Sequence, residues 1–298
     1  MRVDSNYYAQ ILNSLDTTEQ QEQTDVLQLS TNLRVNQPSD DPTAAAQYVG
    51  YVAAASDAAQ YEQNVSSTQT MMQSATSALS SVVTSLNSAI SQGVEAGNGT
   101  VTAAQQTEMA ATVSGIRDQI ISLANTSVQG MYLFGGTASS NPPFQLNADP
   151  TTGVTYNGNS GINTVPVGNN ETVQSNVPGD QIFSASSGNV MQSLTDLINA
   201  MQSNSTSGIQ SATTEVQNAL QTVSLQQGLY SSTSNQLDAD NTYLQNETVS
   251  LQSQENNLVG SNSAQVITDL TEAQTTQQAT LAAIAKIAPM SLLNYLGN

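Results

Sequence analysis

Apolar residues recur at helical spacing along most of the chain, and polar residues fill the opposite faces. From Val3 to Leu33 the apolar residues stand three or four residues apart or at sums of those steps, which predicts a helix. Thr18 and Glu22 occupy the middle of this apolar stripe. A stripe interrupted in this way predicts a helix that needs a partner.

Helical spacing continues in three later parts of the chain. It predicts helices over about 43–93 and 103–129, and again from Val190 onward. In the last of these, one apolar position is kept over four heptads, at Tyr230, Leu237, Leu244, Leu251 and Leu258. The other positions that would face a coiled-coil partner in these heptads are mostly polar. This pattern favours a helix packed against neighbours in the same chain over a free leucine zipper.

Turn signals replace the helical pattern between Thr137 and Gly188. Pairs of Gly, Pro, Asn and Asp follow each other at short intervals, with short β-leaning runs between them. Asn157-Gly158 is typical of a tight hairpin turn. These signals predict a small β-rich insertion between the helices, either outward-facing or mobile.

Composition excludes several kinds of chemistry. The chain has no Cys or His, which excludes thiol and imidazole catalysis, disulfides and most zinc sites. The net charge of −19 argues against nucleic acid or anionic membrane as partners. No apolar run reaches the length of a membrane span, and the N-terminus lacks the apolar stretch of a cleaved signal peptide. We therefore expect no enzyme activity, no cofactor and no metal.

Two aspartate pairs have both a structural and a chemical interpretation. Asp40 and Asp41 could ligate a metal, but Asp41 followed by Pro42 is typical of a capped helix start, which is the interpretation we adopt. Asp238 and Asp240 could form a catalytic carboxylate pair. No group that would tune them stands nearby in the sequence, so a solvated helix face is the plainer interpretation.

Three segments together resemble flagellin-type proteins, namely 33–46, 130–136 and 291–296. The two prolines in Pro38-Ser39-Asp40-Asp41-Pro42 are more similar to the hook-associated protein 3 branch of this family than to filament flagellins. The chain departs from the family pattern at Asn32, where relatives usually have Gly, and at Asn294, where they usually have Asp.

The resemblance implies a structural protein that joins the flagellar hook to the filament and provides the platform for flagellin polymerisation. It implies an extracellular location at that junction and type III export without a cleaved signal peptide, with an export chaperone. The implied partners are copies of the chain in a ring, a neighbouring hook-associated protein, and flagellin or the filament.

The resemblance also assigns roles to particular residues. The implied polymerisation contacts are Ile11, Leu15, Leu29, Leu33, Ile284, Ile287, Leu292, Leu293 and Leu296. The family motif and helix cap are Asn36, Pro38, Ser39, Asp40, Asp41 and Pro42. The motif at which the chain leaves the helical domain is Gly130, Tyr132, Leu133, Phe134 and Gly136.

Together the patterns and the resemblance predict a mainly α fold. We expect an elongated bundle of long antiparallel helices, with paired N- and C-terminal coiled-coil helices and a small β-rich inserted domain. The predicted segments are an N-terminal coiled-coil half (1–40), a first helical core part (41–136), a β-rich outer insertion (137–188), a second helical core part (189–259) and a C-terminal coiled-coil half (260–298).

Two other functions share part of this pattern. A short or minor filament flagellin would have the same helical scheme and would lack only the proline-bearing and Tyr132-Leu133-Phe134 signatures. A secreted adhesin or phage fibre would instead have a repetitive stalk and a distal head. The return of apolar residues at both ends of the chain favours the flagellin-type interpretation.

Overall fold

The fold is mainly helical, as predicted. The computed structural model describes residues 5–149, 151 and 153–296, with side chains described for 9–149, 151 and 153–286. Helices make up 71% of the chain, and the long helices pack antiparallel, α2 with α6 and α1 with α7. The helices are α1 Ser5–Thr31, α2 Pro42–Ala96, α3 Ala103–Ala124, α4 Gly179–Phe183, α5 Val190–Gln202, α6 Thr206–Val259 and α7 Ser263–Leu296.

Among the described residues, eight short strands pair as four antiparallel hairpins between α3 and α5, so the predicted β-rich insertion is confirmed. The strands are β1 Ser127–Val128, β2 Met131–Tyr132, β3 Phe144–Leu146, β4 Val154–Tyr156, β5 Thr164–Gly168, β6 Glu171–Gln174, β7 Ser184–Ala185 and β8 Gly188–Asn189. Each strand pairs with the next one along the chain, β1 with β2, β3 with β4, β5 with β6, and β7 with β8.

The chain divides into two compact units. One unit contains residues 58–245, and the other contains residues 1–57 and 246–298. We call the second the terminal unit, because it is formed by the two ends of the chain. None of the helices within the described residues combines the length and the hydropathy needed to cross a membrane.

The core of the 58–245 unit lies between α2, α3, α5 and α6. Leu79 and Leu86 of α2 are fully buried, and so are Leu237 of α6 and Leu197 of α5. The heptad positions of α6 therefore pack inside the subunit, as their pattern predicted. Tyr230, also on this series, accepts a hydrogen bond from Val177 N (2.9 Å), and burial raises the pKa of its hydroxyl to about 12.

Aromatic side chains join the insertion to this helical core. The ring centroids of Phe144 and Phe183 lie 5.2 Å apart, and those of Phe134 and Phe183 lie 5.3 Å apart, both edge to face. Tyr156 packs on Phe144 at 4.9 Å. All three phenylalanines are buried within the main core cluster of the unit. Most of the insertion's aromatic surface is therefore used for internal packing.

The predicted hairpin turn at Asn157-Gly158 is wrong. That dipeptide follows β4, whose partner is β3, and it connects no pair of strands. Asn157 N donates to Pro143 O (2.7 Å), so the backbone there is held by the preceding segment instead of folding back on β4. The turn between β5 and β6 is formed at Asn170, which has φ 64.

Helix α3 ends at Ala124, five residues before the predicted end at Gln129. The Asn125 side chain donates to Phe144 O (2.7 Å) and accepts from Phe144 N (2.9 Å). These two hydrogen bonds connect the end of α3 to β3. The sequence pattern does not show this contact, because Phe144 lies in another element. The chain then enters the β1–β2 hairpin, with Gln129 at φ 53.

Candidate assembly surface of the terminal helices

In the terminal unit, one face of α1 packs against one face of α7. The buried and half-buried side chains of both helices include a heptad series, with steps of four and three residues. On α1 the series is Ile11, Leu15, Thr18, Glu22, Asp25 and Leu29. On α7 it is Val266, Leu270, Ala273, Gln277, Thr280 and Ile284. This seam is apolar near its ends and largely polar in its middle.

The polar middle of the seam contributes little to the stability of the pair. Gln274 Nε2 donates to Glu22 Oε1 across the two helices at 3.4 Å, a long hydrogen bond. Asp25 is 2% exposed, and only one of its carboxylate oxygens accepts a described hydrogen bond, from Gln21 Nε2 (2.8 Å). Burying such a group costs free energy. The isolated helix pair is therefore a weak one.

The predicted polymerisation contacts occupy several places in the structure. Those on α1 and the described one on α7 line the seam and are half-buried, namely Ile11, Leu15, Leu29 and Ile284. Leu33 packs beside Val35, Ala44 and Val259 in a small separate cluster. The remaining four, Ile287, Leu292, Leu293 and Leu296, lie outside the residues whose side chains are described. Contact between copies through these residues stays a prediction.

The predicted polymerisation contacts do not include a set of apolar residues that the described structure leaves exposed beside the seam. Leu12 and Val26 of α1 are 43% and 51% exposed, and Ile267 and Leu281 of α7 are 54% and 48% exposed. Each of the four residues directly follows a residue of the seam in the sequence, and the two residues on the same helix lie two heptads apart. In an antiparallel helix pair, equivalent heptad positions lie on the same side of the seam. We call these four residues the apolar strip.

A set of backbone hydrogen bonds joins the end of α1 to the start of α7. Arg34 N donates to Val259 O (2.7 Å), and Ser261 N donates to Asn32 O (3.0 Å). Leu33 and Gly260 form an antiparallel β-bridge between them. We call residues 32–34 and 258–261 the clasp. It sets the register in which α1 and α7 begin to pair.

Asn32 has a backbone conformation that suits the glycine expected at this position from the family resemblance. Its φ is 58, in the left-handed region directly after α1. Glycine adopts this region freely, and Asn tolerates it better than most residues. The departure from the family pattern at this position therefore preserves the turn.

The family motif after α1 is held by its own carboxylates. Asp40 Oδ2 accepts from Asn36 N (3.0 Å) and Gln37 N (2.9 Å), and Asp41 Oδ1 accepts from Ala44 N (3.0 Å). Helix α2 begins at Pro42. Pro38 and Ser39 are exposed and lie in the turn that precedes α2. This is the geometry of a capped helix start, with both carboxylates engaged by backbone amides.

Arg34 links the motif to the clasp. Its Nη2 donates to Leu258 O (3.0 Å) and to Asp41 Oδ2 (3.3 Å). The carboxylate that caps α2 therefore also orients the guanidinium that holds the end of α6. Arg34 therefore connects the motif to the clasp, and together they stabilise the place where α1 ends and α7 begins.

Asp41→Ala is expected to destabilise the terminal unit by the modest amount typical of a lost helix cap. The bond from Ala44 N, followed by the neighbouring Arg34, lowers the pKa of Asp41 below 3.8. Its contribution is therefore present above pH 3.8 and is lost as the pH falls through the lower folded-state pKa. Thermal unfolding at several pH values measures this dependence. Asp57→Ala, an exposed change in the same helix, is the matched control, and an equal effect of both changes would contradict the cap.

The domain-exit motif lies in the 58–245 unit and has a structural role there. Phe134 is fully buried, and its carbonyl accepts from Gly179 N (2.8 Å) and from the Tyr156 hydroxyl (3.0 Å). Gly130 and Gly136 have φ 81 and 68. Between them, the half-buried Tyr132 and Leu133 run through the β1–β2 hairpin. The motif turns the chain from α3 into the insertion.

The aspartates considered as a catalytic pair have separate surroundings. Asp238 accepts a hydrogen bond from Gln69 Nε2. Burial, followed by the nearby Glu171, raises the pKa of Asp240 above its usual value. Because the two carboxylates face different neighbours, their geometry is not that of an acid–base pair.

Comparison with known proteins shows which family the N-terminal part of the chain resembles. The model of the bacterial flagellin N-terminal helical region matches residues 3–139. The chain is 34% identical over 165 residues to flagellar hook-associated protein 3 of Salmonella typhimurium, which covers 55% of this chain and 50% of that protein. The match thus spans about half the length of this curated relative.

Solved structures show the same fold. The chain is similar to FlgL of Bacillus cereus, with a TM-score of 0.60 and 21% identity over 70% of this chain and 99% of that one. It is also similar to the flagellar junction protein FlgL of Legionella pneumophila, with a TM-score of 0.58 and 16% identity over 70% and 99%. In its matched N-terminal region and in its helical fold, the chain is thus similar to the bacterial flagellin family.

Proposed function

We propose that this chain is a structural junction protein of the bacterial flagellum, which joins the hook to the filament and provides the platform for flagellin polymerisation. The observation that carries the proposal is the 34% identity to hook-associated protein 3 of Salmonella typhimurium. The Legionella pneumophila protein of similar fold is a flagellar junction protein, which supports the same role for this chain. The role is mechanical and requires no catalytic residue.

The helix pair of the terminal unit supplies the assembly surface in this proposal. Its seam is polar in the middle, and its apolar strip is exposed. Packing of a neighbouring copy on the strip removes that apolar area from water and stabilises a pair that is weak alone. Contact between subunits therefore stabilises the pairing of α1 with α7 within the terminal segments 1–40 and 260–298.

The partners in this proposal are copies of the chain in a ring, a neighbouring hook-associated protein on the hook side, and flagellin or the filament on the distal side. Subunits that each carry a net charge of −19 repel one another. Contacts between copies must therefore use surface without charge, and the apolar strip meets that requirement. The same charge disfavours nucleic acid and anionic membranes as partners.

The remaining parts of the chain have supporting roles. Of the predicted core segments 41–136 and 189–259, residues 58–136 and 189–245 lie in the 58–245 unit together with the insertion 137–188. The protein acts outside the cell at the hook–filament junction. It reaches that place by type III export without a cleaved signal peptide, escorted by an export chaperone that binds the C-terminal helix.

Deletion of the gene tests the proposal. Electron microscopy of the deletion cells is expected to show hooks without filaments, with unpolymerised flagellin in the culture medium. Expression of the intact chain from a plasmid should restore the filaments. Full-length filaments on the deletion cells would overturn the junction role and leave a minor flagellin or an unrelated fibre as the alternatives.

A further inference from the structure

The chain contains two Asn-Gly dipeptides in very different surroundings, Asn98-Gly99 and Asn157-Gly158. We infer that Asn98 is a site of spontaneous deamidation, which converts its side-chain amide to a carboxylate in the folded protein. The same reaction is suppressed at Asn157 by the fold. The inference concerns the turn between α2 and α3 and is independent of the proposed function.

The turn around Asn98 leaves the reacting groups free. Asn98, Gly99 and Thr100 are all exposed, and no heavy atom lies within 4 Å of the position that a Cβ on Gly99 would take. Among the described contacts, no hydrogen bond involves the Asn98 carboxamide or the Gly99 amide. The Asn98 backbone makes two surface turn bonds, to Glu95 O and from Val101 N, both 3.1 Å.

These two turn bonds oppose the reaction only weakly. Gly99 N can reach the side-chain carbon of Asn98 once the backbone rotates between the two residues. At an exposed site, water replaces a broken turn bond at little net cost. The reactive geometry is therefore accessible without unfolding of either helix.

The backbone around Asn157 is held on both sides. Asn157 N donates to Pro143 O (2.7 Å), and Asn159 N donates to Gly135 O (3.2 Å). A Cβ on Gly158 would overlap the phenol ring of Tyr156, so this ring lies against the Gly158 backbone. The single hydroxyl proton of Tyr156 is shared between Asn159 O and Phe134 O, each 3.0 Å from the phenol oxygen. Rotation at this dipeptide would disrupt all of these contacts.

The reaction requires only water. The Gly99 backbone nitrogen loses its proton and attacks Cγ of Asn98, a new N–Cγ bond forms, and the Cγ–Nδ2 bond breaks. The amide nitrogen leaves as ammonia and carries the lost proton. Water then opens the resulting succinimide ring at either carbonyl, which gives aspartate or isoaspartate. The net change is the hydrolysis of one amide to an acid and ammonia.

The full-length protein is incubated in mildly alkaline buffer, and peptide mass spectrometry follows deamidation at both dipeptides over time. We expect Asn98 to react at least about tenfold faster than Asn157 in the folded protein. In denaturant both sites are expected to react at similar rates, since in each the residue after Asn is Gly. Gly99→Ala should slow the reaction at Asn98, and the free space around Gly99 allows this change without loss of the fold.

Three results would overturn the inference. Equal rates at the two sites in the folded protein would show that the described contacts around Asn157 do not protect it. A faster reaction at Asn157 would reverse the assignment. An Asn98 that stays unmodified while the denatured chain reacts would show that the α2–α3 turn is rigid on this timescale.

Discussion

Replacement of all four residues of the apolar strip by glutamine is expected to abolish filament formation while the isolated subunit still folds. Leu12, Val26, Ile267 and Leu281 are each about half exposed in the subunit. Burial of the remaining half of such a side chain contributes about 1 kcal/mol. Loss of four contributions weakens association by about 4 kcal/mol, or roughly a thousandfold.

The quadruple variant is expressed in cells that lack the gene, and filaments are counted by electron microscopy while flagellin in the medium is measured. Glutamine keeps the helix propensity and adds no charge, so the change removes apolar surface alone. The matched control replaces the same residues conservatively, with Leu12→Met, Val26→Ile, Ile267→Val and Leu281→Met, and should support filaments. Detection of the exported variant in the medium separates assembly from export. Normal filaments with the quadruple variant would exclude the strip as an assembly surface.

Gly136→Ala is expected to destabilise the 58–245 unit by about 3 kcal/mol. Gly136 has φ 68, a conformation that costs an alanine about 1 kcal/mol. A Cβ at this position would also overlap the backbone oxygen of Asn159. That oxygen cannot move freely, because the same residue donates from its backbone N to Gly135 O (3.2 Å).

Urea unfolding of the full chain measures this effect. The matched control is Gly115→Ala in α3, an exposed helical position with no atom within 4 Å of the new Cβ, which should be stabilised by up to about 1 kcal/mol. Gly136→Asn separates the two causes, because Asn tolerates a positive φ but still carries a Cβ. Recovery of full stability with Asn would show that the backbone conformation, and not the contact with Asn159, requires glycine here.

Helix positions and caps could be predicted from the sequence because they depend on nearby residues. The α2 start at Pro42 follows from the Asp41-Pro42 pair, whose carboxylate and missing amide both suit a first turn. The heptad series of α6 likewise predicted which positions are buried, including Leu237 and Leu244. Each of these features needs only the local chain.

Features that depend on distant partners were predicted wrongly or were missed. The end of α3 is set by Asn125 binding the backbone of Phe144, a contact between residues far apart in the sequence. Asn157-Gly158 has the local signature of a hairpin turn, but β4 had already paired with the strand before it. In both places a tertiary hydrogen bond outweighed the local preference.

The sequence alone was sufficient to establish that both ends of the chain are amphipathic helices, because a 3.6-residue period shows directly which residues share a face. The sequence did not show how much of the apolar face of each helix is covered by the partner helix. The clasp between Arg34 and Val259 sets the register of α1 on α7. In that register Ile11 is half-buried and its neighbour Leu12 is exposed, because the packing of one helix on another covers only a narrow seam.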